Sequence, residues 1–363
     1  MKINDYILGL FLCCILLPGL GACGDAGGGE EYPADGGHKV DFSIRVSVPT
    51  DRRPASRAAG GIYPEDPVSD NERIQTLRII IVRPDNTVEA NQAVTLTAPA
   101  SETGYVTMKV QPNEKKRVYL FANERAVSDV VARRLIDYDL SGIRVGTRFP
   151  REQIENLPIL LDPTEQIAGL LPMSGCHEVE VPFANTQKEL FVTRAAVKFT
   201  FHITNNSDRG FNLTGLTMER TADREYLLPR DAVFEEHEYA GKKFIDIVQF
   251  SMPDNTLYHT FDVLSKARFG NGTYLKAKGG ETETSEPVYL LEGKYVDPAG
   301  DGRNYAVEMV LDDLRFRDYL PNLPQLARNT HAKVNITIGN AGIAWQVDVI
   351  PYSEVILKPD FGL

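Results

Sequence analysis

Alternating apolar residues are the feature of this sequence that most restricts its fold. In residues 40–48 (VDFSIRVSV), apolar side chains occupy every second position and polar or charged ones lie between them. Because successive side chains of a β-strand point to opposite faces, this period of two predicts a strand with one buried face. The pattern returns at residues 197–203 and again at residues 334–338. A chain patterned in this way is predicted to be mainly β.

Further short strands are predicted along the whole chain. They lie at residues 77–82, 105–110, 117–122, 178–182, 213–218, 244–250, 288–291, 305–311 and 345–349. Two helical runs, at residues 126–135 and 150–157, are predicted as an insertion among the N-terminal strands. Short strands separated by turn residues favour β-sandwiches, and the length of the chain allows two such domains. We place these domains at residues 39–190 and 191–363.

The first 22 residues have the pattern of a secretory leader. Lys2 supplies a positive charge, and the apolar run at residues 7–17 is too short to span a bilayer. Residues 20–23 (LGAC) resemble a bacterial lipobox, so Cys23 is expected to be acylated and to anchor the precursor. The alternative is an ordinary signal peptide in which Cys23 is incidental. Residues 23–38 are rich in glycine and predict a flexible tether.

A long polar segment follows the first predicted strand. Residues 50–70 contain several proline and glycine residues and the step Arg57-Ala58. This composition predicts an exposed loop, and exposed loops are readily cut by proteases. Arg53 precedes a proline and should resist cleavage, which leaves Arg52 as the nearest competitor of Arg57.

Composition and motifs argue against several functional classes. The formal net charge is −11 and no basic stripe is present, which argues against nucleic-acid binding. The sequence lacks the G-x-S-x-G, P-loop, H-E-x-x-H and C-x-x-C motifs, so neither an enzyme nor a cofactor is predicted. Cys176 is isolated in the sequence, and we interpret it as a small buried side chain rather than a nucleophile.

Two acidic clusters were considered as metal sites. Residues 235–238 (EEHE) are the densest group of possible ligands, but we interpret them as a solvated charged loop. Residues 297–302 (DPAGDG) have the chemistry of a calcium loop without its length or closing glutamate, and predict a turn. No metal site is therefore predicted. A glycosidase pair among the scattered carboxylates remains open, since their separation cannot be read from the sequence.

Several of these pieces, taken in order, resemble the fimbrillins of Bacteroidales type V pili. The matching pieces are the lipobox at Cys23, the strand at residues 42–48, Arg57-Ala58, the strand at residues 77–82, RVYLFAN at residues 117–123, RAAVK at residues 194–198, Arg328-Asn329, VNITI at residues 334–338 and VDVIPY at residues 347–352. The resemblance implies two tandem transthyretin-like β-sandwich domains with a small helical insertion in the first. It also implies export as a lipoprotein to the outer membrane and assembly with other subunits into a surface fimbria used in adhesion.

The resemblance further implies an assembly mechanism. In stalk members of the family an Arg-specific surface protease removes the first strand, and the C-terminal strand of another subunit fills the groove. Carried onto this sequence, the processing site is Arg57-Ala58. The apolar face of the displaced strand consists of Phe42, Ile44, Val46 and Val48. The donor residues are Val355, Leu357 and Phe361. Alternatively, the tail forms a last edge strand within its own domain.

Other roles remain open at the level of the sequence. Within the fimbrial reading the chain could be a stalk, tip or anchor subunit. An outer-membrane glycan-binding lipoprotein would need an exposed aromatic platform, whereas the single tryptophan, Trp345, lies in an alternating strand and is predicted to be core. A secreted hydrolase would need a pair of acids in a deep cleft.

Overall fold

Strand β1 spans Val40–Ser47, where the alternating pattern predicts the first strand. The computed structural model describes residues 38–48, 69–96, 103–130, 133–239, 242–278, 281–300, 303–321, 323 and 325–351, and the structural statements below concern these residues. Along β1, fully buried residues alternate with half-buried ones, as a strand with one core-facing side requires.

Ten further strands lie in the first half of the described chain. They are β2 (Thr76–Val82), β3 (Val88–Thr95), β4 (Thr103–Val110), β5 (Glu114–Ala122), β6 (Val127–Ser128), β7 (Pro158–Leu160), β8 (Ile167–Ala168), β9 (Met173–Val181), β10 (Thr186–Phe191) and β11 (Thr193–Arg194). Asp70–Glu72 and Leu140–Gly142 form short 3-10 turns. Helix α1 spans Arg151–Glu155, inside the second predicted helical run.

Two sheets built from these strands share the first hydrophobic core. One has three strands in the order β10-β1-β4, and the other has five strands in the order β11-β9-β5-β2-β3. Strand β2 lies between two neighbours, and its residues from Leu77 to Val82 are all buried. This explains why its apolar residues do not alternate with exposed polar ones; even Arg78, which interrupts the apolar run, is buried. Phe42 of β1 and Ile79 of β2 belong to the same buried cluster.

The second half contains thirteen described strands. They are β12 (Val197–Asn205), β13 (Phe211–Ala222), β14 (Arg224–Tyr226), β15 (Val233–Tyr239), β16 (Lys242–Gln249), β17 (Tyr258–Asp262), β18 (Tyr274–Leu275), β19 (Thr282–Thr284), β20 (Val288–Leu290), β21 (Ala306–Leu311), β22 (Leu314–Tyr319), β23 (Thr330–Gly339) and β24 (Gly342–Pro351). Seven of them lie at predicted positions, whereas six are not predicted from the sequence: β14, β15, β17, β18, β19 and β22.

Two more sheets share the second core. One has the order β19-β12-β23-β24, with β20 also paired to β12, and the other has the order β17-β13-β21-β22, with β18 paired to β13. Strands β12 and β23 run parallel, so that Phe199 lies beside Ala332 and Phe201 beside Val334. These apolar residues alternate in sequence and are buried in the second cluster. The chain is therefore mainly β, with β-sandwich architecture, as predicted.

The two cores meet close to the predicted domain boundary. The boundary at residues 190/191 falls within β10, and most buried residues change from the first core to the second between Ala196 and Val197. Four later residues return to the first core: Leu227, Leu228, Tyr289 and Leu291. The short pair of β7 with β14 joins residues of the two halves, and residues from Lys39 onward belong to one compact unit. The division into two domains stays a prediction.

The predicted helix at residues 126–135 is wrong. Its first residues form β6, which pairs with β8, and the Leu135 N–H donates to the Ala126 carbonyl at 3.0 Å. Valines are stiff at χ1, and the Ser128 hydroxyl donates to the Glu165 carboxylate at 2.9 Å. Both features favour a short strand and a loop here over a helix.

The interpretation of residues 235–238 as a loop is also wrong, because they lie in β15 and pair with β16. The described residues contain no group of three or more His, Cys, Asp or Glu side chains placed to hold a metal ion. Within the same residues, no helix combines the length and the apolar character needed to cross a membrane.

Candidate functional site

The groove that β1 occupies is the candidate functional site. All eight residues of β1 pair antiparallel with β4, from Val40 opposite Val110 to Ser47 opposite Thr103. On its other side β1 pairs parallel with β10, from Phe42 beside Thr186 to Ser47 beside Phe191. Because β1 is the middle strand, its removal would separate β4 from β10 and expose a slot one strand wide. Both edges of this slot would carry unpaired backbone groups.

The core-facing side of β1 is fully buried. Phe42, Ile44 and Val46 have no exposed surface, and Val40 and Val48 are 2% and 4% exposed. Burying five large apolar side chains contributes on the order of 10 kcal/mol, as an upper estimate. Of the four residues predicted as the apolar face of the displaced strand, Phe42, Ile44 and Val46 lie on the core side of β1. The fourth, Val48, follows directly after the strand and is also buried.

The outer side of β1 makes only weak polar contacts. Lys109 Nζ of β4 lies 2.8 Å from Asp41 Oδ1, and Arg45 Nη1 lies 3.7 Å from Glu189 Oε1 of β10. These four side chains are from one-fifth to nearly three-quarters exposed, and such pairs contribute roughly 0–1 kcal/mol each. The strand is thus held by its backbone ladder and its apolar face rather than by charges.

The other predicted site residues lie outside the described residues. These are Cys23, Arg57, Ala58, Val355, Leu357 and Phe361. The structure does show what precedes the predicted donor tail. Strand β24 is the last strand in the order of its sheet and pairs with β23, so that Pro351 lies opposite Thr330. Trp345 of β24 is half-buried and packs against the second core.

A buried polar junction lies beside the first core and joins the two halves of the chain. Its centre is Glu72, which is 1% exposed. Glu72 Oε1 accepts from Lys198 Nζ and from the Tyr289 hydroxyl, each at 2.8 Å. Burial and the Glu72 carboxylate raise the pKa of Tyr289, so its hydroxyl keeps its proton and donates. Arg194 Nε donates to the Glu72 backbone carbonyl at 2.9 Å.

A second ionic cluster is buried as deeply as Glu72. Arg328 is fully buried, and its Nε donates to Glu292 Oε1 at 3.0 Å. Glu225 is also fully buried, and its Oε2 accepts the Glu292 backbone N–H at 2.7 Å. Glu225 Oε1 lies 3.8 Å from Arg328 Nη2 and accepts no hydrogen bond from the described residues. One guanidinium therefore faces two buried carboxyl groups.

Burial raises the pKa of Glu225 from its ordinary value of 4.5 to about 8, with Arg328 lowering it and Glu292 raising it. A protonated Glu225 leaves the cluster neutral, since Arg328 and Glu292 then balance. Between pH 4.5 and pH 8 the folded chain binds one more proton here than the unfolded chain. The free energy of unfolding contributed by this group therefore falls as the pH rises through that window.

The free energy of unfolding is expected to fall less between pH 5 and pH 8 in Glu225→Gln than in the unaltered chain, since the amide cannot ionise. The difference between the two falls is expected to be on the order of 2–4 kcal/mol. Urea unfolding at several pH values measures this slope. Glu219→Gln is the matched control, because Arg317 lowers the pKa of Glu219 and places its titration below this window. An unchanged slope in Glu225→Gln would contradict the assignment.

The contacts within the Glu72 junction and the Arg328 cluster could be anticipated from the sequence only in part. Arg194, Lys198 and Arg328 belong to motifs already noted, but their partners do not. Glu72, Tyr289 and Glu292 lie far from those motifs in sequence. Tyr289 falls in the predicted strand at residues 288–291, and Glu72 closes a Ser-x-x-Glu capping box with Ser69. Neither signal shows which basic residue each group meets, because a buried acid looks like any surface acid in the sequence.

Cys176 does not form a reactive site. Cys176 is exposed, so its interpretation as a small buried side chain is wrong. Partial desolvation of the thiol, together with the charge of Glu155, nevertheless raises its pKa to about 11. A thiol of this pKa is almost entirely protonated at neutral pH and is a poor nucleophile. Cys176 lines an open cleft of about 1580 Å³ with charged residues of both signs, among them Arg148, Arg230 and Glu178.

The fold defines the class of protein to which this chain is similar. No protein-family model matches the sequence, and no curated protein matches it either. The solved structures with a similar fold include the following two proteins. The tip fimbrial protein Mfa3 from Porphyromonas gingivalis is 11% identical, with a TM-score of 0.54 over 87% of this chain and 100% of that chain. A protein from Parabacteroides distasonis described as a cell adhesion protein is 11% identical, with a TM-score of 0.51 over 88% of this chain and 99% of that chain.

These similarities concern the fold. The chain has the fold of Bacteroidales fimbrial proteins, which is the fold that the resemblance in its sequence implies. Neither of the two similar structures is described as an enzyme.

Proposed function

We propose that this chain is a structural subunit of a surface fimbria and contributes to adhesion. The observation that carries the proposal is the place of β1, which is the middle strand of its sheet and the first strand of the described residues. A first strand can be cut away without interrupting the rest of the fold. Its loss would uncover an apolar slot that only another extended, alternating strand can fill.

The proposed assembly has three steps. Cys23 first carries the acyl chains that hold the precursor on the outer membrane. An Arg-specific surface protease then cuts after Arg57, and β1 leaves. The tail of another copy, with Val355, Leu357 and Phe361 on one face, finally enters the slot between β4 and β10. The partners are thus other fimbrial subunits, the membrane and the protease.

The slot has the properties that a long-lived joint requires. It offers two backbone edges for hydrogen bonding and an apolar floor from which β1 now excludes water. Inserting a strand with several large apolar side chains can offset the cost of ordering the tail. The glycan-binding alternative loses its main candidate, because Trp345 packs against the second core and not as an exposed platform.

The N-terminus of the protein isolated from cells tests the proposal. We expect the surface form to begin at Ala58, because Arg57-Ala58 lies in the segment between β1 and Asp70–Glu72. Arg57→Gln is expected to abolish this start, and Arg52→Gln is the matched control that should leave it unchanged. A start at an acylated Cys23 would point instead to an anchor subunit. Any other start would contradict processing at Arg57.

A further inference from the structure

We propose that the Glu72 junction anchors the new N-terminal end of the chain that is left when the first strand is cut away. This inference rests on the proposed function and adds a positioning residue to it. Once the chain is cut between residues 49 and 68, β1 separates, whereas the segment from Ser69 onward stays in place. The junction thereby keeps the boundary between released and retained structure upstream of Ser69, because it prevents the new end from unfolding as far as β2.

The Glu72 side chain is held through both of its carboxylate oxygens. Oε1 accepts from Lys198 and Tyr289, as described above, and Oε2 accepts the Ser69 backbone N–H at 3.3 Å. Lys198 lies in β12 and Tyr289 in β20, neither of which belongs to the sheet of β1. The first described residues after the segment 49–68 are therefore fastened to the second half of the chain.

The backbone around Glu72 is fastened at successive residues. The Leu171 N–H donates to the Asn71 carbonyl, and Asn123 Nδ2 donates to the Arg73 carbonyl, each at 2.9 Å. Asn123 Oδ1 accepts the Gln75 N–H at 3.0 Å. Together with the bond from Arg194 to the Glu72 carbonyl, these contacts hold the chain up to the start of β2.

The attachment of β1 is different in kind. Its side-chain contacts on the outer face go to β4 and β10 through exposed groups, and its remaining attachment is the apolar face and the backbone ladder. An incoming strand can form the same backbone hydrogen bonds as β1 and can bury an equivalent apolar face. It cannot replace a buried carboxylate bound by a lysine and a tyrosine, because leaving those partners unpaired in the interior is strongly unfavourable. Strand exchange is therefore confined to the segment upstream of Ser69.

Glu72 also explains the roles of the first and last residues of the RAAVK motif at residues 194–198. Arg194 binds the Glu72 carbonyl and Lys198 binds its carboxylate, so both ends of RAAVK hold the same residue. Arg194 Nη1 in turn donates to Asn329 Oδ1 at 3.1 Å. Three separate segments of the chain thus converge on Glu72, close to the new N-terminal end that the cut creates.

Hydrogen exchange on a cut form of the full-length chain tests the inference. A recognition site for a sequence-specific protease is inserted between Gly60 and Gly61, and exchange is followed by mass spectrometry in mild guanidinium before and after cutting. We expect exchange in residues 40–47 to rise by on the order of 100-fold after cutting, and exchange in residues 69–82 to change by less than about threefold.

Two variants separate the positioning role from general stability. Glu72→Gln is expected to extend the rapid exchange of the cut chain into residues 69–76. Glu292→Gln is the matched control, since Glu292 is equally buried but binds Arg328 instead of Glu72. If Glu72→Gln does not fold, Tyr289→Phe removes a single bond to Glu72 and is expected to shift the boundary in the same direction.

The outcomes distinguish this inference from the proposed function. Loss of protection in residues 69–82 together with residues 40–47 in the otherwise unaltered cut chain would overturn the boundary and leave strand release intact. Equal effects of Glu72→Gln and Glu292→Gln on residues 69–76 would overturn the role of Glu72. Retained protection in residues 40–47 after cutting would overturn the proposed function, and the inference with it.

Discussion

Replacing Arg328 by methionine is expected to lower the free energy of unfolding by about 3–5 kcal/mol, because it leaves a buried carboxylate without its counterion. Arg328 is fully buried, with Glu292 Oε1 at 3.0 Å from its Nε, and it also donates to the Leu227 carbonyl at 2.9 Å. The substitution removes all of these bonds at once. Methionine fills a similar volume, so the expected loss comes from charge and hydrogen bonding and not from a cavity.

Urea unfolding followed by the fluorescence of the single tryptophan, Trp345, measures this effect. Arg45→Met on β1 is the matched control, because Arg45 forms an exposed pair with Glu189 at 3.7 Å and should cost less than about 1 kcal/mol. Adding Glu292→Gln to Arg328→Met should recover part of the loss, since the unpaired charge is then removed. Equal effects of Arg328→Met and Arg45→Met would contradict a structural role for the buried cluster.

The strands that could be predicted are those with a regular apolar pattern. The segments around β1, β12 and β23 alternate in sequence. Burial follows this alternation throughout β1 and over most of β23, whereas Lys198 and Thr200 at polar positions of β12 are buried as well. Strand β3 (VEANQAVT) and strand β22 (LRFRDY) are not predicted, because only half of their residues are apolar and these do not alternate along the whole strand. Both are edge strands of their sheets. Only part of an edge strand faces the core, so its sequence need not alternate.

The pairing of the strands could not be predicted. β1 lies beside β10, which follows it by more than one hundred residues, and its parallel register depends on the whole path between them. The sequence predicted which face of β1 is buried, but not that β1 is a middle strand. That position is the property on which the proposed assembly depends, and only the sheet order reveals it.

The predicted site stays a prediction, and the structure shows only where some of its residues lie. The apolar face of β1 lies on the core side, since alternating residues need only one strand to bring them together. The processing step at Arg57-Ala58 and the donor residues of the tail stay predictions, as they lie outside the described residues. The buried junction was missed, because it is assembled from single residues far apart in the chain, and packing alone decides which acids meet which bases.

Locking β1 in place is expected to abolish the joining of subunits. The hydroxyls of Ser43 on β1 and Thr107 on β4 are 2.9 Å apart on the outer face of a paired position. A disulfide between cysteines at these two positions fits the spacing and leaves the core untouched. The lock requires a background of Cys176→Ser, so that no other thiol of the folded part competes.

Joining of the locked chain tests the central claim, that β1 must leave before another copy can enter. Ser43→Cys with Thr107→Cys is cut after Arg57, and assembly is followed by size-exclusion chromatography with light scattering, under oxidising conditions and again after reduction. Thr107→Cys alone is the control and should join under both conditions. We expect only monomers from the oxidised locked chain and multimers after the disulfide is reduced. Equal assembly of the locked chain in both states would show that subunits join without releasing β1, and would contradict the account.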